Sequence, residues 1–151
     1  MNRKMSRRGF FSIKIDIFDE DQCLNMEGYR NPGVYFEIPV TDMERAVRFY
    51  SQTFKFSFER EEFDGNQMAY FPFQEMLPGI TGALAKGEIY KPAQVGVLIY
   101  FHVENVIDTI RKALALGGKE LYPATFQTDL GFAVAEIEDL EGNRIGLHQK
   151  L

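Results

Sequence analysis

The chain has 151 residues and a mass of 17.4 kDa, room for one compact domain or two small halves sharing a core. Its 45% hydrophobic and 26% charged residues describe a soluble, foldable chain, and a single Cys excludes both a disulfide framework and a cysteine zinc site. A net charge of −5 argues against a nucleic-acid partner, and no apolar run approaches the ~18 residues of a membrane span, so the expected setting is the cytoplasm.

Residues 1–30 stand apart as an N-terminal extension. A basic start (Arg3, Lys4, Arg7, Arg8) is followed by an acidic half with Asp16, Asp19, Glu20 and Asp21. The Ser6–Phe11 stretch resembles a twin-arginine export signal, but Lys14 and Asp16 interrupt its apolar run and no small-residue cleavage site follows. A disordered tail, true initiation at Met26 and an added edge strand through Ile13, Ile15 and Ile17 are the competing readings. Cys23 lies in this extension, away from both histidines, which disfavours a Cys–His nucleophile.

Regular signals begin at Gly33. Val34, Phe36, Ile38 and Val40 alternate and predict a strand. Thr41, three residues before Glu44, predicts a capped helix carrying Met43, Ala46, Val47, Tyr50 and Phe54 on its inner face. Strands are expected at 56–61 and 67–73 around an Asp64-Gly65-Asn66 turn, then at 80–85. After a polar linker at 87–95 the order repeats. Val97, Ile99, Phe101 and Val103 alternate, and Asn105 caps a helix presenting Val106, Ile107, Ile110, Ala113 and Leu114. Gly117-Gly118 stops that helix, and strands follow at 119–121, 132–138 and 143–148. The two halves, 33–86 and 96–149, correspond at an offset of 63 around the helix starts and 64 between Gly82-Ala83-Leu84 and Gly146-Leu147-His148, which predicts a duplicated β-α-β-β-β module.

Three stretches carry a family resemblance: Phe36–Tyr50, Gly117-Gly118, and the closing Glu138–His148. Together they resemble the glyoxalase/bleomycin-resistance/extradiol-dioxygenase (vicinal oxygen chelate) superfamily, and in particular uncharacterised proteins related to lactoylglutathione lyase. The resemblance covers about four fifths of the chain, from roughly Asn31 onward. It implies an α+β fold in which two tandem modules curl mixed sheets around a cavity, with helices outside. It also implies a divalent metal held from the first and last strands of each module. Those ligand positions correspond to Tyr35, a residue at or next to Gly82, Leu98 and Gly146. Leu and Gly offer no side-chain donor and neutral phenol is a poor ligand for zinc or nickel, so no metal cofactor is expected.

Strand alternation places Tyr35, Glu37 and Pro39 on the cavity side, with Leu98, Tyr100 and His102, and with Arg144, Gly146 and His148. Met68 and Tyr70 join this lining if their strand has the matching register. Glu37 and His148 admit three readings: a structural ion pair, an acid–base pair, or a metal site displaced by one rung. His102, at a strand end, also reads as a plain edge residue. The Glu59-Arg60-Glu61-Glu62 run reads as a solvated face, and Gly79–Gly82 has no following helix to cradle phosphate.

Three functions follow as expectations. The first is a metal-independent binding protein, a homodimer taking up a small aromatic or cationic molecule, as the superfamily's antibiotic-sequestering members do. The second is a glyoxalase-type lyase or isomerase using Glu37 and His148. The third is an accessory module whose sheet edges serve only dimerisation.

Overall fold

The computed structural model describes residues 33–151. The expected edge strand at 13–17, the Cys23 thiol and the alternative start at Met26 lie outside them. The first module runs β1 (Tyr35–Pro39), α1 (Met43–Phe54), β2 (Glu59–Phe63), β3 (Asn66–Tyr70) and β4 (Thr81–Lys86). The second runs β5 (Ile99–His102), α2 (Val106–Ala115), β6 (Lys119–Gln127), a short 3₁₀ turn, β7 (Phe132–Glu138) and β8 (Arg144–Lys150). Each module forms a four-stranded sheet, in the orders β1-β4-β3-β2 and β5-β8-β7-β6. In each, the first strand lies parallel to the last, and the remaining pairs are antiparallel. The expected duplication is therefore present.

Register corrects the offset within it. Glu37 pairs with Ala83 and Tyr100 pairs with Gly146, so first and last strands both correspond at 63. Ala83, not Gly82, is the counterpart of Gly146. Gly82 faces the other way, where an added Cβ would lie 2.0 Å from the Phe36 carbonyl oxygen and 2.6 Å from its ring.

The helices pack on one side of the sheets, and both modules feed one apolar core. Ile38, Val40, Phe49, Tyr50 and Leu84 of the first module meet Val106, Ile110, Ile137, Ile145 and Leu147 of the second. Phe101 of β5 enters an aromatic cluster from the first module, with ring centroids 5.2 Å from Phe54, 5.4 Å from Phe71 and 5.6 Å from Phe56. Gly118 sits where an added Cβ would meet the Glu138 and Ala113 carbonyl oxygens and the Phe49 ring, so the chain leaving α2 passes close to β7 and to α1.

Several local expectations shift. Asp42, not Thr41, caps α1, its carboxylate accepting the Arg45 amide at 3.0 Å. Asn105 caps α2 as expected. β2 starts at Glu59 because Phe56 and Phe58 are taken up by the aromatic cluster, Phe56 stacking on Phe54 at 5.3 Å. The Asp64-Gly65 turn has positive φ at both residues, as a tight two-residue hairpin requires. On α2, Ile107 and Leu114 are exposed, and Thr109 takes an inward position.

Candidate functional site

With the core on the helical side, the opposite sheet faces are available for a site. On the first sheet this face carries three rungs: Tyr35 beside Thr81; Glu37, Ala83, Tyr70 and Glu59; then Pro39, Ala85, Met68 and Glu61. Met68, Tyr70, Ala83 and Ala85 form a second buried cluster, separate from the main core and flanked by Tyr35 and Tyr90. Small side chains on β4 make the floor and larger ones on either side make the walls. Tyr35, Glu37, Met68 and Tyr70 thus share one face of the first sheet.

Tyr90 belongs to the connection between β4 and β5, which crosses this face. Its hydroxyl donates to Glu37 at 2.7 Å. Tyr70 donates more weakly to Glu61, at 3.4 Å. Burial, followed by the hydrogen bond to Glu37, pushes the Tyr90 phenol up to about 12. Burial and the Glu61 carboxylate push Tyr70 to about 12 as well. Tyr35 is raised further, by burial first and then by Glu37, Tyr70 and Tyr90. All three phenols therefore stay neutral across the physiological range. They stand close enough to Glu37, and to one another, to feel one another's charge.

The second sheet presents a different face. One rung holds Tyr100, Gly146 and Glu136; the next holds His102, His148 and Val134. Tyr100 lies over Gly146, where an added Cβ would meet its ring at 2.5 Å. Tyr100 is 49% exposed. Glu136 is buried and accepts from Arg144 Nε at 2.6 Å. Glu138 is buried too, receiving Lys119 Nζ at 2.6 Å and the Gln94 amide. Leu98 precedes β5 and is half-buried.

The structure does not join Glu37 to His148. Glu37 lies on the first sheet and is held by Tyr90, while His148 lies on the second and stacks on Phe132 at 5.5 Å. No hydrogen bond or ion pair links them among the described residues, so the expected pair is not made. Tyr90, Glu61, Glu136 and Glu138 were not anticipated as part of the site. The two last share the parity of Val134 along β7, and that alternation was their signal. Tyr90 sits in an aperiodic linker and had none.

A duplicated β-α-β-β-β module with first and last strands paired in parallel limits the possible relatives. A family model, the Glyoxalase/Bleomycin resistance protein/Dioxygenase superfamily, matches residues 34–147. The chain belongs to this superfamily. A glyoxylase-like domain-containing protein from Didymella fabae is 32% identical over 88 residues, covering 56% of this chain and 67% of that protein. Among solved structures, a glyoxylase/bleomycin resistance protein/dioxygenase domain from Frankia superposes with a TM-score of 0.60 at 14% identity, over 82% of this chain and 100% of that one. A glyoxalase I mutant from Zea mays gives a TM-score of 0.58 at 17% identity, over 78% of this chain and 46% of that one. At such identities the solved structures establish the superfamily fold and nothing finer.

The superfamily's metal-bearing positions can be tested on donor chemistry. Tyr35, Ala83, Leu98 and Gly146 supply one neutral phenol and three side chains without a donor atom. At Gly146 the space is filled by the Tyr100 ring. These residues do not fit a divalent metal. No group of three or more His, Cys, Asp or Glu is placed to hold one among the described residues. Nor is any helix there long and apolar enough to cross a membrane.

Proposed function

We propose that this superfamily member binds a small organic molecule with a cationic or aromatic group in the recess of the first sheet, without a metal at the superfamily's usual positions. The observation that carries this reading is the grouping of Tyr35, Tyr70 and Tyr90 around Glu37. After burial, the groups acting on the Tyr35 phenol are Glu37, Tyr70 and Tyr90, and each disfavours further negative charge. Ring faces and a carboxylate together attract a cation, each ring contributing about 0.5–2 kcal/mol depending on desolvation. Met68 adds a polarizable wall. A homodimer is part of the proposal: Tyr122, Phe126 and Leu130 are exposed on and just beyond β6, the edge strand of the second sheet.

Choline and its neutral isostere 3,3-dimethylbutanol serve as probes in calorimetric titration of the full chain. Choline is expected to bind at least tenfold more tightly, and Glu37→Gln to remove most of that preference. Equal binding of the two probes, or a preference that survives Glu37→Gln, overturns the cationic reading. Light scattering tests the dimer, and a monomer at micromolar concentration refutes it.

A further inference from the structure

His102 and His148 are the only histidines in the chain, and folding brings them onto one rung. They are Cα partners in the parallel β5–β8 pair, so their side chains leave the same face of neighbouring strands, which lie about 4.8 Å apart. His102 is exposed and His148 half-buried. His148 stacks on Phe132 with an interplanar angle of 23°. That stack occupies a face of the imidazole and leaves its nitrogens, which lie in the ring edge, uncommitted. Neither imidazole makes a hydrogen bond or ion pair among the described residues.

We propose that the His102–His148 pair is a bidentate site for a divalent transition-metal ion. Imidazole nitrogen suits zinc, nickel and copper at about 2.0–2.1 Å, so two donors need to converge to roughly 3 Å. Rotation about the His102 side-chain bonds can supply that convergence from an edge strand. The next residue on the rung is Val134, which offers no donor, and Thr125 beyond it donates its hydroxyl to the Pro123 carbonyl. Glu136 is engaged with Arg144. The remaining coordination positions therefore fall to water or to an incoming ligand, which makes the site open. It lies two residues along β8 from Gly146, and its donors are not those of the superfamily positions tested above. Oxygen-preferring magnesium and calcium have no suitable donors here.

The test uses the full chain, purified without a polyhistidine tag and titrated with nickel or copper chloride. One ion per chain is expected, with magnesium chloride giving no binding. His102→Ala should weaken nickel binding about tenfold or more, and the double variant with His148→Gln should bind no more weakly than either single variant, the mark of a shared ion. An unchanged affinity in His102→Ala, or separate losses that simply add, overturns the proposal. Because His148 packs on Phe132, a reading without substitution is also needed. Substoichiometric Ni²⁺ should broaden the imidazole proton resonances of both histidines together in the unmodified protein. Broadening of one ring alone, or of neither, overturns it.

Discussion

The Glu141 carboxylate receives the Arg45 guanidinium at 2.7 Å, although Glu141 lies in the β7–β8 turn of the second module and Arg45 in the first turn of α1. The same carboxylate accepts the Thr41 amide and hydroxyl, both at 2.6 Å, and the Asp42 amide at 3.1 Å. A side chain about a hundred residues away thus completes the N-terminus of α1, where unpaired amides and the helix dipole favour an anion. Burial works against the charge, but the bonds from Arg45, Thr41 and Asp42 outweigh it and hold the acid at about 2. This ties the modules at the end of the sheet that carries Pro39.

Glu141→Gln should cost about 2–3 kcal/mol at neutral pH, since an anionic acceptor of several bonds becomes neutral. The unfolded carboxyl titrates near 4.3, above the folded value. Its stabilising contribution is therefore complete above about pH 4.3 and is lost as pH falls toward 2. Urea unfolding between pH 7 and pH 3 should show the variant losing less stability in acid than the parent. Parallel pH profiles for the two proteins contradict this assignment.

Asp139 lies beneath the same turn. It accepts the Tyr50 hydroxyl at 2.8 Å, the Asn143 amide at 2.8 Å and the Glu141 amide at 2.9 Å. Burial raises its pKa despite these bonds. Tyr50→Phe removes one donor from a buried carboxylate and should cost about 1–3 kcal/mol. With a raised folded value, Asp139 takes up its proton more readily folded than unfolded, so the loss should be largest at neutral pH and shrink in acid. Denaturation of Tyr50→Phe at pH 7 and pH 4 checks the direction, and a loss that grows in acid refutes it.

What could be read from the residues follows the range of the interactions involved. The Asn105 cap depends on neighbours three residues away and was legible. The choice between Thr41 and Asp42 was not, because Glu141 takes Thr41 from the far end of the chain. Strand parity correctly turned Tyr35, Glu37, Tyr100 and His148 away from the core, since alternation is local. Rung partners depend on pairing across the sheet, so the neighbouring His102 and His148 were not recognised as a pair, and Glu37 was assigned to a histidine on another sheet. The start of β2 moved because Phe56 and Phe58 serve a cluster completed by Phe101.

Two glycines that look alike in sequence should respond differently to alanine. At Gly82 the new methyl meets the Phe36 carbonyl oxygen at 2.0 Å, and a paired backbone in a parallel ladder cannot withdraw. Gly82→Ala should destabilise by about 3 kcal/mol or more, through overpacking against main chain. At Gly146 the methyl meets the Tyr100 ring, which is half exposed and can swing away. Gly146→Ala should cost about 1 kcal/mol, and less in a Tyr100→Ala background. Thermal melts of the three variants make the comparison; equal losses at the two glycines refute it.

The phenols near Glu37 carry a prediction at alkaline pH. An unfolded tyrosine ionises near pH 10, whereas Tyr70 and Tyr90 are held protonated up to about 12 by burial and by Glu61 and Glu37. Folded values above the unfolded one mean a contribution that is fully present below pH 10 and is lost as pH rises through 12. Phenolate absorbance of the native protein should therefore reveal fewer than its seven tyrosines before unfolding begins. Tyr90→Phe removes the bond to Glu37 and leaves that carboxylate free to act on the remaining rings and on any bound cation. It should delete one high-pH phenol while leaving the mid-range titration unchanged. A Tyr90→Phe protein that instead loses a phenol titrating near 10 shows that Tyr90 is solvated and that Glu37 does not hold it.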